Sequence, residues 1–131
     1  MPTNPTKGQI EDKIAKAATQ FYLKTFGVGP RETRVYILSD IIIIRLKGKL
    51  LPLEQKLLES AQGISLVKDI RHLLYELTVK GTNKIIKNIT GQTVVSSHSD
   101  VSTKTGEIFQ AYIVDIDYEH ELTTNNPPNL R

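Results

Sequence analysis

The run Thr-Arg-Val-Tyr-Ile-Leu-Ser-Asp-Ile-Ile-Ile-Ile-Arg-Leu-Lys-Gly at positions 33–48 constrains the fold more than any other stretch. Val, Ile and Tyr suit a pleated, half-buried surface, and Ser39 and Asp40 interrupt two such runs at hairpin spacing. The stretch therefore predicts two antiparallel strands with a two-residue loop, although the loop lacks the glycine that usually marks one. A loop at Ser39 and Asp40 sets the register: Leu38 faces Ile41, Ile37 faces Ile42, Tyr36 faces Ile43, Val35 faces Ile44 and Arg34 faces Arg45. One face, with Val35, Ile37, Ile42, Ile44 and Leu46, is wholly apolar and is expected to pack on helices. The other carries Leu38, Ile41, Tyr36 and Ile43 beside the two arginines. A solvated sheet face alternates to polar residues, so this one predicts a second cover, for which a partner subunit is the simplest candidate.

A chain of 131 residues fits one domain with an ordinary core. The absence of cysteine excludes disulfides, thiolate catalysis and cysteine-held zinc. No apolar run approaches the length of a membrane span, and the first residues lack the apolar core of a signal peptide. A soluble, cytoplasmic protein is expected, with peripheral contact at a membrane left open. Lys and Arg number 17 against 14 Asp and Glu, a net charge of +3. That is too slight for a dedicated nucleic-acid binder, and no sequence-specific nucleic acid is expected as a partner.

Residues 1–6 hold two prolines and no core residue and are expected to be a loose tail. Ile10, Ile14, Ala17, Ala18, Phe21 and Tyr22 recur at spacings of three and four, which predicts an amphipathic helix over 7–26, ended by Gly27. Pro52 and Glu54 open a helix expected to reach residue 61, with Gly63 as its break. A further helix is expected over 64–90, its stripe formed by Val67, Ile70, Leu74 and Leu77 and widened by Leu66 and Leu73, with lysines on the wet side. At such length Gly81 either kinks it or marks the close approach of another helix. Gly91 ends it, and a second, more polar hairpin follows over 92–117. Residues 118–131, rich in Thr, Asn and Pro, are expected to be a tail. The fold class is thus α+β, ordered helix, hairpin, helix, helix, hairpin, with one antiparallel four-stranded sheet covered by helices on one face.

Two constellations carry chemistry. Arg34 and Arg45 lie opposite each other, an unfavourable pair unless something anionic sits between, and Asp115 and Asp117 are candidates to supply it. A bound anion is the alternative. His98 and Asp100 are two apart on a strand and share a face, the geometry of a carboxylate orienting an imidazole. No third member accompanies them, so neither a metal site nor a catalytic triad is expected, and a polar strand that discourages aggregation explains the pair more simply. With Arg71 from the long helix, these residues form the candidate anion site Arg34, Arg45, Arg71, His98 and Asp100. No cofactor, metal or catalytic residue is expected.

Gly27-Val-Gly-Pro-Arg, the hairpin over 34–46, Pro52-x-Glu54, Arg71, Thr90-Gly91, and Val94 through His98-Ser-Asp100-Val-Ser-Thr-Lys104-Thr-Gly-Glu107 together resemble the MpsC-like family of small bacterial proteins. That family takes its label from a component of a sodium-translocating, membrane-potential-generating system. The resemblance spans about residues 7–117 and rests on the ordered set of segments. It implies association with ion or inorganic-carbon transport and no particular reaction. The reading is a non-enzymatic, homodimeric accessory or regulatory protein of such a system, with a membrane transport complex as its further partner. The alternative is a small-anion sensor or enzyme built on the five residues above.

Overall fold

A computed structural model describes residues 4–48 and 50–125. In chain order these form α1 (Lys7–Phe26), β1 (Glu32–Leu38), β2 (Ile41–Lys47), α2 (Pro52–Leu57), α3 (Ala61–Thr90), β3 (Val94–Val101), β4 (Ile108–Val114) and α4 (Tyr118–Asn125). The strands make one four-stranded antiparallel sheet in the order β1, β2, β4, β3, an α+β fold with the helices packed on one face.

The first hairpin has the register that its two-residue loop requires, from Leu38 opposite Ile41 to Arg34 opposite Arg45. Ser39 occupies the left-handed region at φ 57°, where such loops favour glycine. What holds it there lies 80 residues away: Ser39 N–H donates to Glu119 Oε1 at 2.9 Å, and Glu119 N–H donates to Ser39 O at 3.0 Å. Asp40 O accepts from Val114 N–H at 2.9 Å. The end of the sheet and α4 together clamp the loop.

This corrects the expectation of a tail from residue 118. Tyr118 and Leu122 are buried in the main core, and Asp117 Oδ1 accepts from His120 N–H at the start of the helix. Two apolar side chains four residues apart and a capping carboxylate outweigh the poor composition that follows. Residues 126–131 lie outside the described residues. At the other end, Thr6 is no loose residue: its hydroxyl accepts from Gln9 N–H while Gln9 Oε1 accepts from Thr6 N–H, a capping box for α1. Residues 1–3 also lie outside the described residues.

Gly27 and Gly91 end α1 and α3 in the left-handed conformation, at φ 77° and 76°. Gly63, by contrast, breaks nothing. Helix α2 stops at Leu57, Ser60 caps α3 by accepting from Gly63 N–H at 2.9 Å, and α3 runs on for 30 residues, about 45 Å at 1.5 Å per residue. Gly63 is needed for proximity, since a Cβ there would lie 1.7 Å from Leu57 O. Gly81 likewise marks a close approach, and the neighbour is α1 of the same chain: a Cβ would lie 2.6 Å from Phe21 Cε1.

The core lies between the sheet and the helices. Ile10, Ile14 and Ala18 of α1 and Ile86 of α3 meet Val35, Ile37, Ile42, Ile44, Leu46, Tyr112 and Val114 of the sheet. The stripe expected on α3 is only partly inside, because Val67 is buried whereas Leu77 is 72 % exposed.

Candidate functional site

The register across all four strands arranges the uncovered sheet face in three rows. Leu38, Ile41, Ile113 and Ser96 form one, Tyr36, Ile43, Ala111 and His98 the next, and Arg34, Arg45, Phe109 and Asp100 the third. Their in-facing neighbours Val35, Ile37, Ile42, Ile44, Gln110 and Tyr112 are buried, which places these rows on the side away from the core. Leu38 and Phe109 are exposed. The face thus joins an apolar patch on β1, β2 and β4 to a polar margin on β3.

Four of the five candidate residues, Arg34, Arg45, His98 and Asp100, share this face, and Arg34, Arg45 and Asp100 share one row. The carboxylates that hold the arginines are Glu32 and Glu107, not Asp115 and Asp117. Arg34 Nε donates to Glu32 Oε1 at 3.0 Å, and Arg45 Nε donates to Glu107 Oε1. Asp115 instead accepts from Thr93 N–H, and Asp117 serves α4. Hydrogen bonds from Arg34 and Arg45 hold the Glu32 and Glu107 carboxyls below the usual carboxylate range. Both guanidiniums also act on the Tyr36 phenol, which is drawn below its ordinary value chiefly by Arg34. Asp100 Oδ1 accepts from Val101 N–H at 2.9 Å. Among the described residues no three His, Asp or Glu side chains converge, so His98 and Asp100 stand as a pair.

Arg71 is elsewhere. It projects from α3 into a cavity of about 640 Å³ on the helix side of the sheet, walled by Phe26, Val28, Pro30, Leu46, Leu51, Leu57, Leu74 and Ile108. There it grips Glu54 with two bonds, Nε to Oε2 at 2.7 Å and Nη2 to Oε1 at 2.6 Å, which leaves Nη1 outside the pair. Glu54 Oε1 also accepts from Leu51 N–H, so the carboxylate caps α2 where Leu51 offers no hydroxyl. Arg71 is the main reason that this carboxyl lies below its usual range.

Deeper in, Tyr22 Oη accepts from Gln110 Nε2 at 2.8 Å, and Tyr112 Oη lies 2.7 Å from Gln110 Oε1 and 3.0 Å from Thr82 Oγ1. Burial pushes the Tyr22 phenol up to about 12 and raises that of Tyr112 as well. This chain satisfies the amide of Gln110, which is 1 % exposed. Tyr75, one turn beyond Arg71 on α3, also lines the cavity, and its buried hydroxyl makes no hydrogen bond. Burial raises its phenol, and the Ser97 hydroxyl, near it but outside hydrogen-bond geometry, works the other way. Tyr22, Glu54, Tyr75 and Gln110 are not among the candidates read from sequence. Only the one-turn spacing of Arg71 and Tyr75 signals that one of them, Tyr75, lines the same cavity as Arg71.

The family model described as "Na+-translocating membrane potential-generating system (MpsC)" matches residues 6–116. The chain is 38 % identical over 117 residues to "Uncharacterized protein YbcI" of Bacillus subtilis (strain 168), covering 89 % of this chain and 94 % of that one. No solved structure matches. Several segments that carry the resemblance, Gly29, Pro30 and Arg31, Glu54, Arg71 and Gly106, meet at the cavity wall. Among the described residues no helix is long and apolar enough to cross a membrane.

Proposed function

The chain belongs to the MpsC family, and on that premise we propose that it is a non-enzymatic accessory protein of a sodium-translocating, membrane-potential-generating system, acting from the cytoplasmic side by binding another protein. One observation carries this reading: the uncovered sheet face presents Tyr36, Leu38, Ile41, Ile43, Phe109 and Ile113 in adjacent rows, a contiguous apolar surface of the kind that marks a contact site. Its arginines already have carboxylate partners, which favours a docking surface over an anion trap. The test is affinity capture from detergent-solubilised native membranes, followed by mass spectrometry. Capture of a membrane ion transporter that is lost with Leu38→Glu supports the reading. Capture unchanged by that substitution removes the sheet face from it.

A second reading rests on the cavity. The unpaired Tyr75 hydroxyl and Arg71 Nη1, one helical turn apart in a largely apolar wall, suit a small molecule with an apolar body and a hydrogen-bond acceptor. This replaces the five-residue anion site, because Arg34, Arg45 and His98 lie on the other side of the sheet from Arg71, and only Asp100, on the edge strand, lines this cavity as well as the open face. Thermal melts of the parent and of Tyr75→Phe across a panel of small apolar acids and amides test it. A stabilisation seen equally in both proteins counts against a sensor at this position.

A further inference from the structure

We propose that the outer surface of α3 is a dimer interface on which a second copy of the chain lays its own α3 in antiparallel orientation. Leu66, Ile70, Leu73 and Leu77 are 46, 43, 55 and 72 % exposed. At 100° per residue Leu77, Leu66 and Leu73 lie about 80 to 120° round the helix from the buried Val67, and Ile70 lies about 60° from it, at the rim of the cavity that it also lines. A helix flank open to solvent is normally polar, and here it carries four large aliphatic residues.

Their spacing of four, three and four is the a/d seam of a heptad repeat, a narrow stripe whose natural complement is another helix of the same pitch. That spacing reads the same in both directions. A two-fold axis between positions 71 and 72 sets Leu66 against the partner's Leu77 and Ile70 against the partner's Leu73, so the surface is complementary to itself, as an isologous dimer requires. Orientation follows from what lies beyond the stripe. Lys80 and Lys84 continue the same spacing, and parallel helices would stack each on its own counterpart. Antiparallel helices set Lys80 toward the partner's Gly63 instead, so that no lysine of the seam meets its counterpart. A membrane is the poorer occupant, because the stripe is flanked by Asp69 and Glu76, which anionic lipid repels, where a membrane-surface helix carries lysine and arginine. In the antiparallel pair these same carboxylates approach their counterparts, so association is expected to tighten as salt rises. The surface is distinct from the sheet face proposed for the transport partner, and the two readings can fail separately.

Sedimentation of the full chain at micromolar concentration is expected to give twice the 14.7 kDa chain mass. The double variant Leu73→Glu/Leu77→Glu is expected to sediment as a monomer with unchanged circular dichroism, while Leu38→Glu stays dimeric. Should the double variant fail to fold, single cysteines decide, since the chain has none of its own. Ile70→Cys and Leu73→Cys proteins, mixed and oxidised, are expected to cross-link far faster together than either does alone. A monomeric parent overturns the proposal, as does a dimer dissociated by Leu38→Glu and not by the α3 substitutions. Faster cross-linking of each cysteine variant with itself overturns the antiparallel arrangement. Binding of the parent to phosphatidylglycerol vesicles, lost in the double variant, would assign the stripe to lipid.

Discussion

The two halves of α3 follow the same helical geometry and meet opposite fates. Over residues 79–90 the helix is finished: Thr82, Ile86 and Thr90 are buried, Gly81 lets Phe21 of α1 pack against the backbone, and Lys80, Lys84 and Lys87 face outward. Over residues 61–78 only Gly63 and Val67 are buried. There the inner side borders a cavity and the outer side is apolar. The lesson is that an apolar stripe read from sequence identifies surface that needs cover without saying whether the same chain provides it. The C-terminal half packs on α1 at Gly81, whereas the N-terminal half stands across a cavity from the sheet, with the six-residue α2 against Gly63.

The comparison breaks most sharply at the core. Ile86→Ala is expected to cost about 2 to 5 kcal/mol in urea unfolding, because Ile86 is fully buried and its loss leaves a void. Leu73→Ala, measured at a concentration where the chain is monomeric, should stay within about 0.5 kcal/mol of the parent. Equal costs would mean that the monomer already covers both halves. The two helical glycines come next. Gly81→Ala should destabilise by about 1 to 3 kcal/mol, the range for overpacking, because its new methyl meets a ring that can shift. Gly63→Ala should exceed it, since the obstacle there is the backbone of Leu57. The reverse order would show that α2 is loosely held.

A smaller effect is expected at the ion pair that ties α2 to the N-terminal half. The side chains of Arg71 and Glu54 are 21 and 13 % exposed. Arg71→Met should therefore cost about 2 kcal/mol, between the roughly 3 to 5 of a fully buried pair and the less than about 1 of an exposed one. Because the Glu54 carboxyl is held below its usual value, its contribution is present above the ordinary glutamate pKa and disappears as pH falls through the folded value. Acid titration of stability should accordingly be shallower in Arg71→Met than in the parent. A parallel loss in both proteins would detach the pair from acid sensitivity. The least effect belongs to Arg34→Met, which should leave the urea midpoint nearly unchanged, because Arg34 and Glu32 are 53 and 44 % exposed and solvent screens the pair.

What could be read from the chain alone was whatever depends on near neighbours. The register of the first hairpin follows from a two-residue loop, the ends of α1 and α3 from glycines that take positive φ, and the apolar excess on both sides of the β1 and β2 hairpin from alternation. From that register alone, Arg34 and Arg45 could be placed on the open face, and the strand period added His98 to Asp100. Pairings across long separations were not legible. Arg45 chose Glu107 over Asp115 or Asp117, Arg71 chose Glu54, and Ser39 is held in its left-handed turn by Glu119, because strand order and helix placement decide which carboxylate comes within reach. Composition also misled at 118–125, where two core contacts in the right phase, Tyr118 and Leu122, are enough for a helix. Sequence by itself determined which surfaces are apolar and which backbone positions turn. Tertiary structure decided which of those surfaces this chain covers, since burial depends on what arrives from elsewhere in the fold, and it left the outer face of α3 and one face of the sheet bare.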